Sequence, residues 1–144
     1  MSALRVLVAV GILAVPAHTA AQQPAADSIR ATRAGVYTAA QAVQGFGTYQ
    51  LICVSCHTQG SHTGPVFVAK WEGRLLWDLF RYVSESMPKS EPGSLTPEEY
   101  AGVVAYLLRM NGMPAGASEI PTDSIALKKI RIELTAKRDS TQQR

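Results

Sequence analysis

Apolar side chains recur at helical spacing in three stretches of the chain. Residues 38–53 allow a helix in which Gly45, Tyr49 and Cys53, each four apart, stack on one face. Gly45 and Gly47 each weaken that helix by roughly 1 kcal/mol unless something packs closely there. Within 73–85, Leu76, Leu79, Phe80 and Val83 fall at i, i+3, i+4 and i+7, the period of an amphipathic helix. Tyr100, Val103, Val104 and Leu107 repeat that period behind the best start signal in the sequence. Thr96 is the N-cap, Pro97 takes the first helical position and Glu99 completes a T-x-x-E capping box, while Gly112 supplies the stop. The pattern predicts an all-α fold with three principal helices.

The intervening segments read differently. Residues 57–70 contain Gly60, Gly64 and Pro65 and are expected to form a loop, as is the Ser/Pro-rich stretch 84–96. Near the C-terminus, Ile125, Leu127, Ile130, Ile132 and Leu134 mix helical and strand periods. With no strand partner visible elsewhere and no internal repeat, a further helix over about 123–137 is the preferred reading.

The N-terminus carries Arg5, the apolar run 6–15, Pro16 and small residues 17–21. Residues 1–21 therefore read as a secretory signal cleaved after Ala21, which places the mature protein in the periplasm or otherwise outside the cytoplasm. The apolar run is about half the ~20 residues a spanning helix needs, so the mature chain is not expected to cross a membrane; a retained anchor is the competing reading. No cysteine follows the run, which excludes a lipoprotein. Residues 22–36 are polar and Ala-rich and are expected to be a flexible leader. A domain over 37–116 comes next, and then a basic, helical extension over 117–144.

Composition adds limits. At 144 residues, 47% hydrophobic and 17% charged, the chain suits one globular domain. After signal removal it buries roughly two-thirds of its unfolded surface, and a large prosthetic group would help to complete the core. The net charge of +3 is unevenly placed. Residues 22–127 hold seven Lys/Arg against nine Asp/Glu, net −2, which leaves no basic surface broad enough for nucleic acid. Residues 128–144 hold six Lys/Arg against Glu133 and Asp139, net +4. That tail reads as a solvated helix covering part of the core, or as a contact for an acidic partner or anionic lipid.

The only two cysteines fall in Cys53-Val54-Ser55-Cys56-His57. This C-x-x-C-H sequence is the attachment motif of c-type haem, and each residue has its own task. The thiols of Cys53 and Cys56 add to the two porphyrin vinyl groups, and the two-residue spacer lets both do so from one turn. His57 is then held beneath the iron as its proximal ligand. A structural disulfide and a thioredoxin-like redox pair compete, although the second wants a βαβ context. Zinc would need about four ligands, and the mature chain offers Cys53, Cys56, His57 and His62.

The sixth iron ligand has four candidates: His62, Met87, Met110 and Met113. His62 lies five residues past the proximal ligand and suits a surface role. Met110 lies near the end of the last helix, and Met113-Pro114 just past it, where packing is the ordinary use of methionine. Met87 sits in the polar loop SESMPKSEPGSLT with no helix face to fill. Pro88 restricts it to extended conformations, and Pro92 and Pro97 stiffen the rest of the loop. Met87 is the preferred ligand.

Over about residues 41–116 these features resemble class I, mitochondrial-type cytochromes c. Gly45-x-x-x-Tyr49-x-x-x-Cys53 is similar to the family's N-terminal helix, and Val103, Ala105, Tyr106 and Leu107 to the C-terminal helix it crosses, with Val103 and Tyr106 meeting Gly45 and Tyr49. The resemblance implies three helices around one covalently attached haem c. His62-Thr63-Gly64-Pro65 resembles the segment whose proline carbonyl accepts the proximal histidine's N–H, which makes Pro65 the partner of His57. Trp71 and Arg74 are similar to haem-edge residues that bind propionates. Met87-Pro88, Pro92-Gly93-Ser94-Leu95 and the run 100–112 look especially like bacterial periplasmic members, including subunits of quinoprotein or sulfite dehydrogenases.

The implied function is one-electron transfer at a His57/Met87-ligated iron, between redox partner proteins such as a dehydrogenase, an oxidase or another cytochrome. The protein would then be an electron carrier and not an enzyme. Two other readings stand beside it: a haem-based enzyme or gas sensor with a displaceable sixth ligand, and a subunit docked on a dehydrogenase through the basic tail and haem edge. The chain departs from the family in continuing about thirty residues beyond Asn111.

Overall fold

The computed structural model describes residues 28–134. The expected export signal, residues 22–27 of the leader and residues 135–144 of the basic tail lie outside them. Among the described residues the architecture is all-α, apart from one two-residue strand pairing. The elements in order are β1 (Arg30–Ala31), α1 (Ala39–Thr48), α2 (Gly64–Trp71), α3 (Leu76–Ser86), α4 (Pro97–Met110), α5 (Ser124–Leu127) and β2 (Ile130–Arg131).

The three helices read from apolar spacing are α1, α3 and α4. The Thr38 hydroxyl accepts from the Gln41 N–H to start α1. Beyond Thr48 that helix widens into a π turn over Tyr49–Cys53, with the Val54 N–H bonded to the Tyr49 carbonyl at 3.2 Å. Leu75, before α3, has no side-chain acceptor, and the Asp78 carboxylate takes its N–H at 3.3 Å instead. The capping box of α4 forms as expected: Thr96 Oγ1 accepts from the Glu99 N–H at 3.2 Å and Glu99 Oε2 from the Thr96 N–H at 2.8 Å.

Helix α4 is the centre of the core. Its residues Tyr100 to Leu108 are all buried, so it is covered on every side and not along a single stripe. Helix α1 crosses it at Gly45, where an added Cβ would lie 1.7 Å from the Gly102 carbonyl oxygen. Around this contact Tyr106 packs against Phe46 and Tyr49, with ring centroids 5.3 and 5.2 Å apart. The Val103/Tyr106 and Gly45/Tyr49 crossing is thus present, with Gly102 as the backbone partner that spacing did not reveal.

Three expectations are corrected. Residues 64–70 are not loop: Gly64 adopts φ +64 and Pro65 stands in the first turn of α2, where its missing N–H is no loss. The middle helix accordingly begins at Leu76, with Trp71 closing α2 and Arg74 in the turn between them.

The expected leader is structured from Arg30. Thr32, Val36 and Tyr37 are buried, and β1 pairs in parallel with β2. Among the described residues the C-terminal extension, expected to be helical, is helical over α5 and then continues as a strap through Leu134. Ile130, Ile132 and Leu134 are buried in the common core, and the strap is bonded to β1 on one side and to the 72–75 turn on the other. The mixed period of 125–134 therefore reflects a short helix followed by a strand whose partner lies a hundred residues earlier. Gln41, buried on α1, fastens the segment between α4 and α5 by exchanging both amide groups with the Ile120 backbone, at 3.2 and 2.8 Å.

Candidate haem site

The π turn at the end of α1 delivers the attachment motif as one compact turn. The Cys56 and His57 N–H groups both bond to the Cys53 carbonyl, at 3.2 and 2.9 Å, so two thiols and an imidazole succeed one another within a single winding. The thiols are free and not disulfide-linked; Cys53 is half-buried and Cys56 exposed. Burial pushes the Cys53 thiol pKa up, so the neutral thiol is favoured there.

Beside this turn lies a cleft of about 370 Å³, walled by α2, α3 and α4. Cys53, Cys56 and His57 line one part of it and Met87 another, with Phe67, Trp71, Leu79, Val83, Val103 and Leu107 supplying apolar walls. The residues suit a large, flat, mostly apolar group. Two thiols stand at its edge, and a nitrogen and a thioether donor share its lining. Tyr49 Oη, also at the lining, is the one buried side-chain polar atom among the described residues with no hydrogen-bond partner. Burial raises the Tyr49 pKa, which keeps its hydroxyl a donor. Among the described residues no group of three or more His, Cys, Asp or Glu side chains has an arrangement that could hold a metal ion by itself.

Met87 is the C-cap of α3, with extended backbone at φ −132°, ψ 150°. Its carbonyl accepts from Tyr100 Oη at 2.8 Å, and that same hydroxyl accepts from the Leu95 N–H at 3.5 Å, so α4 holds both ends of the Met87 loop. Met113 is placed elsewhere: its sulfur accepts from the Thr32 hydroxyl and its carbonyl from the Tyr37 hydroxyl, both in the segment before α1. Neither Met113 nor Met110 lines the cleft.

The remaining candidates divide. Trp71 is buried and lines the cleft, with its ring against Phe67 and Tyr82. Arg74 is outside the cleft lining. Its guanidinium lies 5.2 Å above the Trp71 ring and 3.7 Å from the Asp78 carboxylate. Pro65 starts α2 and does not hydrogen-bond His57. The His57 ring instead packs on His62, with centroids 4.5 Å apart. His62, expected at the surface, is half-buried in the cleft lining, and burial lowers its pKa, as do nearby His57 and Lys70.

Several residues at the cleft were not visible in the sequence as members of the site. Lys70 and Lys89 line the cleft, Lys70 with its ammonium 3.8 Å from the Tyr82 ring centroid. They supply cationic groups of the kind propionates need. Asn111, closing α4, gives its amide N–H to the His62 carbonyl at 2.8 Å and accepts from the Gly64 N–H at 3.1 Å, which ties the loop after the attachment motif to the central helix. These are relations between distant segments and have no spacing signature.

No curated protein and no solved structure matched the chain. Residues 40–107 match the family described as cytochrome C oxidase, cbb3-type, subunit III. Together with the attachment turn and its cleft, this match supports a c-type cytochrome, which implies covalently bound haem c and electron transfer and suggests a carrier rather than an enzyme.

Proposed function

We propose that this chain is an exported, periplasmic cytochrome that carries single electrons between redox partner proteins. In this reading Cys53 and Cys56 hold its haem, and His57 and Met87 ligate the iron. The single observation that carries the reading is that His57 and Met87 line one cleft while Met113 is bonded to Thr32 and Tyr37 outside it. The sequence of residues 1–21, read as an export signal, is what supports the location.

Bound there, the haem supplies an iron that cycles between ferric and ferrous states. The chain's contribution is to hold and shield it. The α1 turn fixes the thiols and imidazole, Tyr100 holds the Met87 loop, and the apolar walls exclude water. A neutral thioether ligand and a dry cleft both favour the ferrous state, hence a relatively high potential compared with bis-histidine ligation. Lys70 and Lys89 would supply cationic partners for the propionates, and Trp71 would pack against the bound group from the cleft wall.

Protein matured with a c-type haem attachment system is expected to contain one haem per chain that acid–acetone does not extract, with a weak far-red methionine–ferric band when oxidised. Extractable haem, or none, overturns the attachment. A ferric spectrum that is high-spin overturns the Met87 ligation and moves the reading to a ligand-binding enzyme or sensor.

A second reading, a subunit docked on a dehydrogenase, is favoured by the exposed apolar side chains at the attachment turn. Leu51 is 84% exposed, and Ile52, Val54 and Val66 also stand open near the cleft. Apolar docking survives screening, whereas charge-steered contact does not. A docked subunit is expected to co-purify with its partner in molar salt; release at that ionic strength would return the reading to a transient carrier.

A further inference from the structure

The last described residues, outside the segment that matches the cytochrome family, are bonded to the turn that joins two walls of the cleft. Gly73, at φ +78, gives its N–H to the Ile132 carbonyl at 2.8 Å, and its own carbonyl accepts from the Arg131 guanidinium at 2.7 Å. The Ile132 N–H returns to the Arg74 carbonyl at 2.8 Å, and the Leu134 N–H reaches the Glu72 carboxylate at 2.8 Å. Each residue of the 72–74 turn is therefore held by residues 131–134.

That turn is short and has a cleft residue on either side. Trp71, immediately before it, is in the cleft wall. Helix α3 begins two residues after it and ends at the Met87 cap. An eleven-residue helix is stiff over its roughly 15 Å, so the placement of the turn is transmitted to Met87. The strap's other edge is fixed as well. The fully buried Thr32 hydroxyl accepts from the Glu133 N–H at 2.9 Å and lies 3.1 Å from the Glu133 carbonyl, while the Arg30 N–H bonds to Lys129.

We infer that residues 131–134 are a positioning strap for the haem cleft, with Arg131 and Thr32 as its two side-chain pins, holding Trp71 and α3 so that the Met87 thioether stays on the iron. The inference rests on the His57/Met87 reading above. It differs from a merely structural role because the pins can be removed without emptying the core. Arg131 is only half-buried, and its hydrogen bond goes to the turn and not to another core element.

The test uses mature haem protein: wild type, Arg131→Met, Arg131→Lys and Thr32→Val. Each ferric form is titrated with imidazole, an external ligand that competes with the thioether, while the far-red band is monitored. Midpoint potential and denaturant midpoint are measured in parallel. Arg131→Met and Thr32→Val are expected to bind imidazole about tenfold more tightly, as for other groups that act through a metal ligand, and to have lower potentials. Arg131→Lys should lie between Arg131→Met and wild type. Wild-type imidazole affinity and potential in both Arg131→Met and Thr32→Val overturn the inference, whatever happens to the denaturant midpoint. A wild-type protein that itself lacks the far-red band overturns the Met87 reading and the strap's role with it, and is recognised because the departure precedes any substitution.

Discussion

Met87→Ala is expected to retain its covalent haem, lose the far-red band and drop in potential by on the order of 0.2 V, a fraction of the ~0.8 V range that axial ligands span. Haem retention is expected because the proposed attachment residues, Cys53 and Cys56, lie about thirty residues before Met87, in the turn that follows α1. The band requires the thioether itself. The loop should survive, since Tyr100 grips Met87 through its carbonyl, which alanine keeps. The vacated position becomes open to imidazole or carbon monoxide, so the ferrous spectrum of the variant, unlike that of wild type, should shift readily on adding carbon monoxide. Met110→Ala and Met113→Ala are the controls and should keep the band, because neither side chain lines the cleft. Loss of the band in Met113→Ala with retention in Met87→Ala would reverse the assignment.

The contrast between these methionines shows what a sequence can carry. Met87 stands out in the sequence because an apolar side chain in a polar loop needs a reason, and the structure places it in the cleft lining with its carbonyl bonded to Tyr100. Cys53, Cys56 and His57 were legible because they are contiguous, so their spacing is their geometry. Helices α1, α3 and α4 were legible because their caps and apolar periods are short-range. Helix α2 is not legible in the sequence because Gly64 and Pro65 have the composition of a loop, yet they stand at a helix start, the position at which proline is favoured. The β1–β2 pairing was missed for a different reason. A two-residue strand has no period of its own, and Thr32 in a polar, Ala-rich stretch gives no hint that its hydroxyl satisfies the backbone of Glu133. The helix expected over 123–137 holds at Ser124–Leu127 and gives way to strand at Ile130–Arg131, because the partner strand lies a hundred residues earlier; residues 135–137 lie outside the described residues. Lys70, the Tyr49 hydroxyl and the Asn111 amide belong to the site through tertiary contacts alone.

Gly45→Ala should be the most damaging single methyl group in the fold, destabilising the haem protein by about 3 kcal/mol or more. The new Cβ would lie 1.7 Å from the Gly102 carbonyl oxygen, 2.1 Å from its carbon and 2.8 Å from the Val103 nitrogen, all backbone atoms of the buried α4. A side chain can rotate away from such a clash, but a helix backbone in a close-packed core has to move as a body. Separating α1 from α4 would also disturb the packing of Tyr106 on Phe46 and Tyr49, and shift the turn that holds both attachment thiols. Two glycines close by test whether the close approach, and not helix propensity, is the cause. A Cβ on Gly102 would meet Gly45 at 3.3 Å, so Gly102→Ala should cost about 1–2 kcal/mol. A Cβ on Gly47 meets nothing within 4 Å, and because that residue lies in α1 and is exposed, Gly47→Ala should stabilise by about 0.5–1 kcal/mol. Denaturant unfolding of the three variants at unchanged m-value reads this order directly. If Gly45→Ala and Gly47→Ala shift the midpoint alike, α1 and α4 do not meet at Gly45, and the scaffold that presents Cys53 and His57 to the cleft has to be redrawn.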